Sequence, residues 1–197
     1  MRITSTVEWS AAHPGSAIGL LELMDVENKL PSPPLNQRKR ETEERLRKMY
    51  AGFSRKDFLA LLVMAAYDQY YKRFDKTYHV LLQLESIVLR HKSLPDVSPL
   101  VDANFTAEVD TLVLTAGHDA AKLESPVIID VTRSGEVMTT MSGEIKAIRA
   151  GDMVMRDRLG ACCTILYGQD NRSLITAETR HVLYVAYAPP GVPAEAV

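Results

Sequence analysis

Cysteine is nearly absent from this sequence: there are two, side by side at Cys162 and Cys163. In a strand such neighbours point to opposite faces. They read as small buried hydrophobes, not as a disulfide framework or a metal knuckle. Long apolar runs are absent as well. None approaches the roughly 20 residues a membrane-spanning helix needs, and the opening MRITSTVEWS lacks the apolar block of a signal peptide. The expectation is a cytoplasmic protein with no membrane partner. The motifs of nucleotide and metal chemistry are missing too: no GxGxxG after a strand, no GxxxxGK[ST], no HExxH and no paired CxxC. Ser142-Gly143 lacks the flanks of a nucleophile elbow. The histidines at 13, 79, 91, 118 and 181 show no metal-ligand spacing. A nucleotide-hydrolysing enzyme or a zinc protein is therefore not expected, and no cofactor or metal is assigned.

What remains is ordinary globular material. The chain has 197 residues, 46% hydrophobic and 24% charged, enough for one domain with a substantial core. Its net charge of −2 hides an asymmetry: residues 35–92 carry about +6 and residues 93–197 about −6. Any nucleic acid should lie against the first of these, because phosphate contacts need lysine and arginine. Arg38, Lys39 and Arg40 are the candidate phosphate contacts. The plainer alternative is a set of solvated helix faces.

Taken in order, residues 3–9 alternate and suit an edge strand. His13-Pro14-Gly15 is a turn. Residues 17–26 suit a buried strand, with a helix as rival. LPSPP at 30–34 is a break and the best internal linker. Residues 36–50 form a surface helix carrying three Glu-to-Arg/Lys i,i+4 pairs. Ser54 and Asp57 resemble a capping box, which starts a central buried helix through residues 58–67. Its end, with Tyr70, Tyr71, Lys72 and Arg73, could stack on bases or form the skin of a core. The next helix, with Thr77 as its cap, turns Val80, Leu84, Ile87 and Val88 inward.

The organising stretch is residues 94–123. Ser98-Pro99 signals a helix start. Val101, Phe105, Val109 and Leu112 give an apolar stripe, with Asp102, Thr106 and Asp110 on another side. The helix should run to about Leu114 and unwind at Thr115-Ala116-Gly117, glycine supplying the left-handed turn. His118 and Asp119 would then sit in a bend facing a cleft. Beyond lie strands at 126–132, 136–141, 144–148, 152–156, 162–167 and 182–188, with tight turns at Ser134-Gly135 and Ser142-Gly143 and a loose tail at 189–197. Early helices and late strands predict an α+β fold: helices of the N-terminal half packed on a mixed, largely antiparallel sheet. One domain is expected over 1–197.

Pro-Leu-Val-Asp at 99–102 is followed by a helix and then Gly-His-Asp at 117–119. This pattern resembles the B3/B4 domain of the phenylalanyl-tRNA synthetase beta chain, and more closely the free-standing proteins built on that domain. GDMVMRD (151–157), YGQDNRS (167–173) and ITAETRHVLYVAY (175–187) fall where that family has a strand, a glycine-containing turn and a closing turn-plus-strand. The resemblance covers roughly residues 67–187. It implies an editing-type pocket, the second sieve used where one binding step discriminates too little. In the family that pocket depends on a His after the helix and a Glu near the late glycine turn. Here the His position falls on Ala116, with His118 two places on, and the turn reads Gln169-Asp170-Asn171-Arg172 with no matching Glu.

The resemblance therefore implies an RNA-binding protein, with tRNA as partner and no aminoacylation chemistry. The alternatives are a hydrolase deacylating mischarged tRNA in trans, or a pocket for an amino acid. The expected pocket joins Thr115, Ala116, Gly117, His118 and Asp119 to Tyr167, Gln169 and Asn171. His118, oriented by Asp119, is the candidate proton carrier because its ordinary pKa lies near neutrality. Set against this are a histidine satisfied in a turn, an Asp capping the bend, and ordinary turn chemistry for Gln169 and Asn171.

Overall fold

In a computed structural model describing residues 1–197, helices and strands alternate first and strands dominate later. The order is β1 (Ile3–Ser5), α1 (Val7–Ala12), β2 (Ala17–Leu23), α2 (Pro33–Met49), α3 (Arg55–Leu59), α4 (Leu62–Lys72), α5 (His79–Val88) and α6 (Pro99–Thr111). Then come β3 (Thr115–Asp119), β4 (Val127–Val131), β5 (Val137–Thr139), β6 (Ile145–Ala147), β7 (Met153–Asp157), β8 (Gly160–Thr164), β9 (Gly168–Gln169) and β10 (Val182–Ala188). The fold is α+β, as expected, and the β structure is mixed and largely antiparallel. It is divided, however. One sheet runs β1-β4-β7-β8-β9, a second β2-β10-β3, and β5 and β6 pair as a hairpin. Only β1 and β4 are parallel.

A cluster of 34 buried residues joins the helices to both larger sheets. Its centre is the tyrosine-rich α4. Tyr67 stacks on Tyr78 with ring centroids 4.1 Å apart. The Tyr67 hydroxyl donates to the Tyr187 carbonyl at 2.5 Å and accepts from the Leu114 N–H at 2.9 Å, tying β10 to the entry of β3. Tyr70 donates to Asp152 and Tyr71 to the Ile165 carbonyl, both at 2.6 Å. Each ring fills the core while its hydroxyl meets backbone or carboxylate, as buried tyrosines require. The aromatic stretch considered for base stacking is thus interior.

Several local expectations need correction. The first strand ends at Ser5, because Thr6 caps α1 by accepting from the Trp9 N–H at 3.1 Å. The buried helix is two helices: the Ser54–Asp57 box is present, but the chain bends after Leu59, and α4 starts at Leu62 with that side chain exposed. Tyr78, not Thr77, caps α5, whose inward residues are as expected. Ser134-Gly135 joins strands that do not pair with each other, since β4 pairs with β1 and β7. The tail is not loose. Val192 is buried in the core cluster, Ala194–Ala196 form a 3-10 turn, and Val197 packs on Gly19.

The organising helix also differs. It ends at Thr111, with Leu112 itself in the left-handed region at φ 63°. Thr115–Asp119 is then a strand, antiparallel to β10, with Gly117 opposite Tyr184. Gly117 is required for space, not for a turn: a Cβ there would lie 2.8 Å from Ile175 Cδ1 and 3.0 Å from the Tyr184 ring. The inward face of α6 includes Asp102, Thr106 and Glu108 along with Val109, so the apolar stripe is interrupted by buried polar groups.

A candidate binding cavity between α6 and the two sheets

Because β3 leaves α6 almost at once, helix and strand diverge from a common corner, and the opening between them is closed by β8, β9 and the 174–175 segment. The result is a cavity of about 230 Å³. Val101, Phe105, Leu114, Ile165, Leu174 and Ile175 make its wall largely apolar, while His79, Gln83, Asn104, Glu108, Thr115 and Gln169 supply polar groups. Thr115, Ala116 and Gly117 line it together with Gln169, so these predicted site residues do meet.

His118, Asp119, Tyr167 and Asn171 lie off this wall. His118 is fully buried, and its Nδ1 lies 2.7 Å from Ser173 Oγ. Ser173 spends its proton on Asp170 at 2.6 Å, so the imidazole is the donor to Ser173, and Nε2 is left as a buried acceptor without a partner. Burial pushes its pKa down to about 3, which keeps the ring neutral and unsuited to carrying protons near neutrality. Asp119 accepts from Thr179 Oγ1 at 2.8 Å and the Ala121 N–H at 3.2 Å, capping the bend. Gln169 partly folds back, donating to the Ser173 carbonyl at 2.7 Å. Asn171 is exposed, and its N–H donates to the Thr139 carbonyl. Tyr167 is the sequence neighbour of the lining residue Gly168, with Lys76 Nζ 5.0 Å from its ring centroid.

The sequence reading missed His79, Gln83, Asn104 and Glu108. Glu108 is 2% exposed, and its Oε1 accepts from the Thr115 N–H at 2.9 Å, with His79 Nε2 3.9 Å away. Gln83 Oε1 and Thr115 Oγ1 are buried without protein partners. Buried polar atoms are nearly always paired, so two orphans among its lining residues make this cavity the candidate site. A carboxylate at an inward helix position is the signal that could have pointed to Glu108.

A second, larger groove of about 440 Å³ lies on the outer face of β2-β10-β3, among leucines of β2, α6 and the tail. Asn104 and Thr115 line both spaces. The groove offers little polar chemistry.

Among the predicted phosphate contacts, Lys39 needs correction. Lys39 is wholly buried: its Nζ bonds Asp102 at 2.8 Å, Asp96 at 2.6 Å and the Pro95 carbonyl. Arg40 pairs with Glu43 at 2.8 Å, and Arg38, the most exposed, lies 3.8 Å from Asp110. Arg45 also pairs with Asp110. The charge asymmetry along the sequence is therefore partly cancelled inside the molecule, where basic α2 meets acids on α6 and the loop before it. Asp102 has a structural role, accepting from the Val97 N–H at 2.9 Å.

A model of the B3/4 domain matches residues 65–192, nearly two thirds of the chain and all of the cavity wall. The chain belongs to the B3/4 domain family. No curated protein matches it in sequence. Among solved structures, it is similar to an N-terminal fragment of the phenylalanyl-tRNA synthetase beta-subunit from Pyrococcus horikoshii, at 9% identity and a TM-score of 0.47. That similarity covers 99% of this chain and 44% of the other, so the B3/4 protein described here spans less than half the length of that fragment. No helix is long and apolar enough to cross a membrane.

Proposed function

We propose that this B3/4 protein binds RNA of the tRNA kind and receives its terminal aminoacyl group in the α6–β3 cavity, without aminoacylation chemistry. The observation that carries the reading is the cavity: about 230 Å³, mostly apolar, with polar groups gathered on one side. Such a space suits a small side chain with a polar handle. The chain would act as one domain over 1–197, a reading supported by the core shared between helices and both sheets. Its place of action would be the cytoplasm.

For the RNA itself, Tyr167, next in sequence to the lining residue Gly168, and Lys76 beside its ring are better candidates than α2. The lysine is exposed and the ring half-buried, a pairing that can serve a phosphate and a base. The test is filter binding of uncharged tRNA over a salt series. Lys76→Ala should weaken binding and reduce the log–log salt slope by about 0.7–0.9. An unchanged slope would remove Lys76 from the RNA path, and no tRNA binding at low salt would end the RNA reading.

One observation favours a second reading, a deacylase. His79 and Glu108 form a histidine–carboxylate pair at the cavity mouth, supplied by α5 and α6 and not by the positions the family resemblance implies. His79 is 46% exposed on its side chain and could accept a proton from water. Rapid release of amino acid from charged tRNA, lost in His79→Ala, would move the assignment to the hydrolase.

A further inference from the structure

The cavity wall has charge of one sign. Glu108 is the only carboxylate among the lining residues, and none of them is lysine or arginine. Its Oε1 has the Thr115 N–H, but its only cationic neighbour is His79 at 3.9 Å, beyond hydrogen-bond range and charged only when protonated. A carboxylate held 2% exposed with so little countercharge is stabilised by any cation that enters beside it. The two orphaned groups have the same polarity. Gln83 Oε1 accepts only, and Thr115 Oγ1 can accept. Glu108, Gln83 and Thr115 are all lining residues of one small space, and a primary ammonium brings three donors and one positive charge.

The same wall treats a free carboxylate differently. An amino acid brought in by its ammonium would carry its own carboxylate next to Glu108, with no lysine or arginine on the wall to receive it. Like charges at such distances repel strongly in a partly desolvated site. An ester or amide has no such charge, and its side chain can pack against Val101, Phe105 and Ile175.

We propose that Glu108, with Gln83 and Thr115, forms an ammonium-recognising set that selects amino acids whose carboxyl is esterified or amidated over free amino acids. The proposal rests on the reading that the cavity takes an aminoacyl group, and it does not need RNA as the carrier.

The test is calorimetric titration of the full chain at pH 6.5, below the α-amino pKa of about 7.7–8.0, with leucinamide, free leucine and N-acetylleucinamide. Leucinamide should bind at least tenfold more tightly than either of the others. Glu108→Gln keeps an acceptor for the Thr115 N–H, and should abolish that preference while the melting temperature stays near wild type. Gln83→Met, which removes an acceptor at similar volume, should weaken leucinamide several-fold and serves if Glu108→Gln fails to fold. Equal binding of leucine and leucinamide, or of the acetylated compound, would overturn the proposal. Binding of tRNA with no heat from any of the three would overturn it while leaving the RNA reading intact. Leucinamide selectivity with no tRNA binding would uphold it and discard the RNA.

Discussion

Replacing Lys39 by methionine keeps most of the side-chain volume and removes one charge. In the wild type, the ammonium is wholly buried against Asp102, itself 1% exposed on its side chain. Asp96 is 67% exposed and can return to water, whereas Asp102 cannot. Removing one partner of a buried pair costs about 3–5 kcal/mol, because the other charge is left uncompensated. Asp102 keeps the Val97 N–H at 2.9 Å, which places the expected loss at the lower end, about 3 kcal/mol. With a urea m-value of about 1–3 kcal/mol/M, the unfolding midpoint followed by circular dichroism should fall by about 1–3 M. Adding Asp102→Asn, which retains an acceptor for Val97, should recover more than half of the loss. On the proposed function, the tRNA affinity of folded Lys39→Met should match wild type. A loss under about 1 kcal/mol together with weakened tRNA binding would refute the reasoning and return Lys39 to the surface.

Three other expectations follow from buried groups. Desolvation lifts the Asp152 pKa to about 6 from an ordinary 3.8, so its charged form opposes folding above pH 6 and that opposition is relieved as pH falls from 6 to 3.8. Burial lowers His13 to about 4 and His118 to about 3, so both contribute stability that is complete above pH 6.5 and lost as pH falls toward those values. Asp152→Asn should therefore steepen the loss of stability between pH 6.5 and 4, read as urea midpoints against pH; an unchanged profile would mean that Asp152 stays ionised throughout. Gly117→Ala must displace Ile175 or Tyr184, which should lower stability by about 1–3 kcal/mol, and an unchanged melting temperature would contradict the close approach. Tyr67→Phe leaves the Leu114 N–H without its partner. It should cost about 1–3 kcal/mol, measured by the same denaturation.

Where local pattern and tertiary demand agreed, the fold was legible. The last strand falls on Val182–Ala188 as read, since an apolar run between turn signals has few other uses. α5 turns Val80, Leu84, Ile87 and Val88 inward because nothing competes with its period. The errors come from distance. Lys39 looks like a surface cation until Asp96 and Asp102, about 60 residues on, fold against it. The left-handed turn after α6 was sought at glycine, yet it is taken by Leu112, which is 6% exposed and gains its place by burial. Gly117 was freed to admit Ile175 and Tyr184. The break between α3 and α4 carries neither glycine nor proline to announce it. Of the eight predicted pocket residues, four line the cavity: Thr115, Ala116, Gly117 and Gln169. His79, Gln83 and Glu108 were not predicted, because each sits on a helix whose partner across the cavity no local pattern names.

Asn104 and Thr115 line both the inner cavity and the outer groove, so the two spaces share these two side chains. Shortening either side chain to alanine should enlarge both spaces, which now measure about 230 and 440 Å³. Bulkier residues at either position would shrink the inner space while helix and strand stayed where they are. The sizes of both spaces are thus adjustable through the two residues that they share.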